Sequence, residues 1–362
     1  MIFDERYTLA PGYDISRVIR GGWQLAGDHG AVAHDAVTDD LAAFHDAGIT
    51  TFDCADIYTG VETMIGDFRA AMLARRGADA LARLRVHTKF VPDLDLLPMI
   101  TGADVRRIID RSLQRLRTER LDLVQFHWWD YAEPRYLETV HHLKALQSEG
   151  KIALLGGTNF DAARVREMAE AGAVMATMQV QYSLLDARPA GAMTALCREI
   201  GTKMLCYGTL AGGFLSDAWL GKPAPEGPLA NRSLVKYRLI IDEFGGWDLF
   251  QTLLAAVRRV ADRHGASLSN VASRYVLDLP QVAGVIVGGR HAGHLSDTLR
   301  LCRVRLTDAD RAEIATVLAR SLGPGGEVYA LERDRTGRHG SIMKYHLGDG
   351  AEMAAGDGRA RA

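Results

Sequence analysis

Eight short apolar runs rich in β-branched residues punctuate the chain, each followed by a longer stretch of helical periodicity. The runs cover residues 18–25, 49–55, 86–90, 121–127, 152–158, 178–183, 203–208 and 282–289. Helix candidates lie near 35–47, 61–75, 104–116, 136–149, 162–171, 190–200, 248–264 and 291–301. In 104–116, Val105, Ile108, Ile109, Leu113 and Leu116 recur at the three- and four-residue steps of one helical face, and Asp104 gives the first turn a negative charge that suits a helix start. Strands that alternate with helices in this way pair in parallel, because each helix carries the chain back to the same end of the sheet. Eight alternations predict a closed (β/α)8 TIM barrel in a single domain, rather than an open doubly wound sheet. The open sheet more often carries a Gly-rich turn after its first strand, and no GxGxxG follows any predicted strand.

The remaining sequence sorts around that barrel. Residues 216–247, with Pro223, Pro225 and Pro228, are too long for an ordinary strand-to-helix connection and read as a functional loop. Gly323-Pro324-Gly325-Gly326 reads as a hinge. The barrel is therefore expected over 1–322 and a C-terminal extension over 323–362. The closing GAEMAAGDGRARA is too polar and Gly/Ala-rich to bury a core and is expected to be mobile. The Tyr, Met and Leu residues of 327–347 predict that this earlier part folds over the barrel mouth and helps shape the substrate pocket.

Charge and composition narrow the function classes. Acidic residues number 45 against 43 basic ones, for a net charge of -2, and there is no basic block, so a phosphate backbone would find little attraction. No nucleic-acid partner is expected. No apolar run reaches the ~20 residues of a membrane span, and the opening MIFDERYTLAPGYD lacks the basic start and apolar core of a secretory signal. A cytoplasmic location without a membrane partner is expected. Cys54, Cys197, Cys206 and Cys302 lack CxxC spacing and read as reduced core residues.

A barrel of this kind builds its active site from the carboxyl ends of its strands. The second strand ends in Asp53 and is followed by Tyr58, the third ends in Thr88-Lys89-Phe90, and the fourth ends in Phe126-His127. Lys89, one of seven lysines in the chain, lies within an apolar run and needs a partner, which Asp53 can supply. An ammonium held near the Tyr58 hydroxyl is expected to lower its pKa and favour proton exchange at neutral pH. His127, neutral, is expected to orient a carbonyl or assist the same transfer. Taken singly, each has an ordinary reading: a cap, a loop tyrosine, a snorkelling lysine, a core histidine. Together they make a general acid with tuning groups. None of the four can move a hydride, so a redox reaction here requires a cofactor. Trp23, Trp128, Trp129 and Tyr131 form an aromatic group expected to meet an apolar or ring-bearing small-molecule carbonyl substrate.

The run Asp53-Cys54-Ala55-Asp56-Ile57-Tyr58, with Glu62 and Gly66, then His87-Thr88-Lys89-Phe90 and Asp122-Leu123-Val124-Gln125-Phe126-His127, resembles the motifs of the aldo-keto reductases over roughly 15–320. The resemblance implies a tetrad of Asp53, Tyr58, Lys89 and His127. It also implies NADPH-dependent reduction of an aldehyde or ketone to an alcohol without a metal, with Tyr58 protonating the carbonyl oxygen. The implied cofactor is NADP(H), with NAD(H) as the alternative. Thr158, Asn159 and Gln179 would hold its carboxamide, Tyr207 would stack on its nicotinamide, and Trp23 would touch cofactor and substrate alike. Gly208, Leu210, Gly212, Gly213 and Leu215 belong to the loop that approaches the diphosphate. Gly288, Gly289 and Arg290 open a phosphate-binding turn, and His294 and Thr298 follow toward the adenine.

Two other classes compete with this one. The first is an NADPH-holding regulatory subunit similar to the channel-associated members of the superfamily. The second is a metal-dependent barrel, which needs clustered His and carboxylate ligands where the strand ends offer only His127 and Asp53. Asp28 and His29 read as a turn, and His141-His142 as a surface pair. No metal site is expected.

Overall fold

The computed structural model describes residues 2–26, 34–289 and 291–347. Eight parallel strands close into a barrel: β3 (Val18–Gly21), β4 (Thr51–Asp53), β5 (Arg85–Phe90), β6 (Leu121–Phe126), β7 (Ile152–Thr158), β8 (Thr177–Gln181), β9 (Lys203–Tyr207) and β10 (Val282–Gly288). They run in chain order, and β10 returns to pair with β3 through Val285 to Gly288 against Val18 to Gly21. Their positions match the eight apolar runs to within a few residues. The first run ends early, because the chain leaves the sheet at Gly21 for a 3-10 turn at Trp23–Leu25.

The strands follow a hairpin that the sequence reading passes over, β1 (Arg6–Ala10) and β2 (Tyr13–Ser16), turning at Pro11-Gly12 with Gly12 at φ 73°. Its Tyr13 and Ile15 pack with Ile19, Leu123, Leu205 and Ala283, plugging the barrel at the amino ends of its strands. Ligands are thereby confined to the opposite mouth.

Outside the strands lie α1 (His34–Asp46), α2 (Val61–Arg76), α3 (Gly102–Arg115), α4 (Tyr136–Ser148), α5 (Ala162–Glu170) and α6 (Ala192–Ile200). They are followed by α7 (Arg232–Phe244), α8 (Gly246–Arg263), α9 (Leu268–Leu277), α10 (Leu295–Arg300), α11 (Asp308–Leu318) and α12 (Ala330–Arg333). α3 shows why such segments are helical: Thr101 and Asp104 cap its start reciprocally, and Val105, Ile108 and Ile109 bury one face. One expectation changes. The stretch 216–247 is half helix, since Asn231 caps α7 and Tyr237, Ile240, Ile241 and Phe244 bury its inner face. The extension over 327–347 packs on the barrel as expected: Val328, Tyr329 and Glu332 are buried. The expected mobile end lies outside the described residues. So do Asp28, His29 and Arg290.

Gly66 brings α2 against the end of α3, where an added Cβ would fall 2.1 Å from the Arg115 carbonyl oxygen. Gly66→Ala should therefore force the helices apart and cost about 1–3 kcal/mol, the usual penalty of overpacking. Thermal denaturation checks this, and an unchanged melting temperature would refute the contact.

Candidate active site

The barrel brings the four strand-end residues to one mouth. Asp53 at the end of β4 and Lys89 on β5 are both buried, and the ammonium donates to Asp53 Oδ2 at 2.7 Å and to the Cys54 carbonyl at 2.8 Å. The other Asp53 oxygen accepts from Gln125 Nε2 at 3.0 Å and from Gln179 Nε2 at 2.6 Å. A carboxylate bound on both oxygens can remain charged in a low-dielectric site. Burial works against the Lys89 ammonium, but Asp53 and Tyr58 beside it raise its pKa overall.

Tyr58 follows the short turn after β4, its ring 4.8 Å from Lys89 Nζ and edge-on to Trp23 at 5.0 Å. Burial raises the Tyr58 phenol above its ordinary value, and the opposing pull of Lys89 is outweighed. This corrects the expected direction: desolvation exceeds the neighbouring charge, so the residue is a fully protonated acid at neutral pH. His127 is also buried, and burial, with Arg333 adding to it, lowers its pKa to about 3. Its imidazole is neutral.

The tetrad lies at the floor of a cavity of about 1070 Å³. Trp23, Thr158, Asn159, Gln179, Tyr207, Gly208, Leu210, Gly212, Gly213, Gly288, Gly289, His294 and Thr298 all line it. The amide N–H of Asn159, a residue at φ 63°, donates to the Gln179 carbonyl at 3.0 Å, and the Tyr207 hydroxyl donates to Asn159 Oδ1 at 2.8 Å. The Asn159 amide nitrogen is left facing away from Tyr207. Hydroxyl and amide groups beside an aromatic ring, continuing into a glycine-lined groove, fit an amide-bearing ring with a diphosphate tail. Gly208 and Gly212 have a second use: a Cβ on either would strike Tyr237 of α7, at 2.3 and 2.9 Å. Arg20, which the sequence reading missed, is buried in the barrel and donates to the Gly289 carbonyl at 2.5 Å, bracing the turn after β10.

Three expected site residues lie off the cavity. Trp128 is fully buried behind the barrel against Phe126 and Tyr136, its indole donating to the Asp130 and Glu133 carbonyls. Tyr131 packs under the Arg333 guanidinium at 3.8 Å and accepts from Asp161 N. Leu215 is buried in the cluster around Phe214 and Phe250. Trp129 does line the cavity, edge-on to His127 at 4.3 Å. The extended chain after β6 explains the split, since alternate side chains point to opposite sides and His127 and Trp129 share one.

The C-terminal extension closes the mouth through Tyr329, Ile342, Met343, Lys344 and Leu347. Two of its residues hold it down. Arg333 donates to the carbonyls of Trp128, Trp129 and Asn159 and to the Tyr131 hydroxyl. Buried Glu332 accepts from Arg188 at 2.9 and 3.1 Å, and Arg188 is shared with Asp186 at 2.7 Å. Burial opposes the Glu332 charge, yet Lys236 and Arg188 bring its pKa down to about 2. Among the described residues no three His, Cys, Asp or Glu side chains gather in a group that could hold a metal. None of the described helices is long and apolar enough to cross a membrane.

The family model of the Aldo/keto reductase family matches residues 17–319. The chain belongs to this family and is an oxidoreductase of the class that works with NAD(P)H on small molecules. It is 24% identical over 324 residues to the NADH-specific methylglyoxal reductase of Escherichia coli (strain K12), covering 84% of this chain and 96% of that one. It is 27% identical over 260 residues to flagellar radial spoke protein 5 of Chlamydomonas reinhardtii, covering 62% of this chain and 49%, about half, of that protein. The glycerol dehydrogenase of Gluconobacter oxydans superposes with a TM-score of 0.73 at 24% identity, over 90% of this chain and 98% of that one, which shows the shared fold.

Glu332 ties the extension to the barrel, so Glu332→Ala leaves Arg188 half-paired in a buried site and should cost about 3–5 kcal/mol. Limited proteolysis should then cut within 323–347 before the barrel. Because the folded pKa lies below the ordinary 4.5, the stabilisation is present above about pH 4.5 and lost as pH falls toward 2. Unaltered proteolysis of the variant would refute the anchoring role.

Proposed function

We propose that this protein reduces an aldehyde or ketone to the alcohol, with NADPH as hydride donor and Tyr58 as general acid. The observation that carries this reading is the Tyr58 hydroxyl beside the Asp53–Lys89 pair at the floor of the cavity. When bound, the cofactor supplies the hydride that no side chain here can.

The residues of the chain do the rest. Thr158, Asn159 and the side-chain amide oxygen of Gln179 hold the carboxamide, while Tyr207 gives the ring a flat wall. Trp23, Trp129 and Tyr329 exclude water and orient the substrate. Tyr58 gives its proton to the carbonyl oxygen, and Lys89 steadies the phenolate left behind. Arg290 follows Gly289 in the sequence, where a cation suits the extra phosphate of NADP(H); this is the basis for preferring NADPH over NADH. The alternative of a cofactor-holding regulatory subunit leaves a complete proton-transfer group without a purpose and is set aside.

A panel of aldehydes and ketones with NADPH and with NADH, read by absorbance, tests the reaction and the coenzyme together. Tyr58→Phe should reduce turnover by about 10²- to 10⁴-fold while cofactor binding, read by fluorescence titration, survives; full activity would overturn the acid assignment. The pH profile has a definite sign. Reduction needs the protonated phenol, which is present below a pKa raised above 10, so kcat/KM should be flat through neutrality and fall only at strongly alkaline pH. A fall near pH 7 would contradict the raised value. Deleting 327–362 should alter substrate preference more than NADPH affinity, and unchanged selectivity would count against a role for the extension.

A further inference from the structure

We propose that the site takes carbonyl compounds that also carry an anionic group, a carboxylate being the simplest, and that Lys236 of α7 is the residue that binds it. This rests on the reading that a carbonyl oxygen binds at Tyr58.

Lys236 lines the cavity, and its surroundings give the ammonium little to bond to. Its Nζ lies among three rings, 5.3 Å from the centre of Tyr207, 5.7 Å from Tyr237 and 5.6 Å from Tyr329. Ring faces attract a cation without supplying an oxygen to accept its hydrogens. The Glu332 carboxylate stands 3.6 Å away, beyond ordinary hydrogen-bond length, and both of its oxygens already accept from Arg188. An ammonium has three N–H donors, so donors remain for a ligand. Burial lowers the Lys236 pKa, and Glu332 opposes this only in part. A ligand that brings a negative oxygen supplies the strong, charge-assisted bond that the protein does not.

The charges around Lys236 favour such a ligand. Within this cluster Arg188, Lys236 and Arg333 bring three positive charges, and Asp186 and Glu332 bring two negative ones. Arg333 bonds to carbonyl and hydroxyl oxygens, which leave its charge uncancelled. The effect reaches the floor, where Arg333 and Lys89 add to burial in lowering the His127 pKa. A carboxylate entering the cavity is therefore attracted, and a cationic substrate is repelled. Tyr329 connects this wall to the tetrad, since its ring is 5.6 Å from the Lys236 ammonium and 5.6 Å from the His127 ring. The ammonium is thus at most two such steps from the tetrad, a span that one ring-bearing molecule crosses.

The test compares 3-carboxybenzaldehyde, 4-carboxybenzaldehyde and 4-formylphenylacetate, which place the carboxylate at three reaches, each with its neutral carboxamide. On the benzaldehydes the carboxamide withdraws electrons from the carbonyl more than the carboxylate does, so an advantage of the acid comes from binding. The best acid should exceed its carboxamide by about tenfold or more in kcat/KM, mainly through KM. In Lys236→Gln that ratio should fall toward one whatever the residual rate. Ratios of one or below for all three pairs in the unmodified protein would overturn the proposal, as would a preference that survives Lys236→Gln. A second measurement does not depend on turnover. Calorimetric titration should show benzoate binding the unmodified protein more tightly than benzamide, with the difference lost in Lys236→Gln. Equal binding of the two, or benzoate binding unchanged in the variant, would overturn the assignment. If neither cofactor supports reduction of any aldehyde, the reductase reading fails by itself, and the benzoate titrations still decide the role of Lys236.

Discussion

A single buried ion pair, Asp53 with Lys89, determines how the rest of the mouth is arranged. Two charges at 2.7 Å in a desolvated site persist only when their remaining bonding capacity is filled, and Gln125, Gln179 and the Cys54 carbonyl fill it. Four strands, β4, β5, β6 and β8, thereby contribute to one network. The pair fixes the environment of Tyr58, and Gln179 links it to Asn159 and so to the Tyr207 side of the cavity. In the proposed reaction, acid chemistry and cofactor geometry are set by the same carboxylate.

Burial, more than charge, sets the protonation states. It keeps the Tyr58 phenol protonated against the pull of Lys89 and keeps the His127 imidazole neutral. The extension adds to this dryness, since Tyr329 stands edge-on to His127 at 5.6 Å and Tyr345 edge-on to Trp129 at 5.1 Å. The mouth is therefore not an open barrel end with loops around it. Its far wall is built from the C-terminal extension, through Tyr329, Ile342, Met343, Lys344 and Leu347.

The sequence carried the strands and the tetrad because each is a local signal: apolar runs, and polar residues at their ends. It also held signals that went unread. The alternation of 6–16 about Pro11-Gly12 marks the hairpin, the spacing Tyr237, Ile240, Ile241 and Phe244 marks α7, and Thr307 with Asp310 marks the start of α11. The even spacing of His127 and Trp129 could have separated Trp129 from Trp128. The pairing of Arg188 with Glu332 was not legible, because 144 residues separate them and only the closed barrel brings them together. The direction of the Tyr58 shift was equally hidden, since it depends on how much solvent the folded walls remove.

The anchoring of the extension has a consequence for how the pocket can diversify. Arg333 and Glu332 bind backbone carbonyls and buried charges of the barrel. Cavity-lining residues lie on both sides of those anchors, Tyr329 before them and Ile342, Met343, Lys344 and Leu347 after them. Side chains at 342–344 can therefore change while the bonds of Arg333 and Glu332 stay in place. The same barrel and the same acid can serve a changed pocket through exchange of a few residues near the end of the chain.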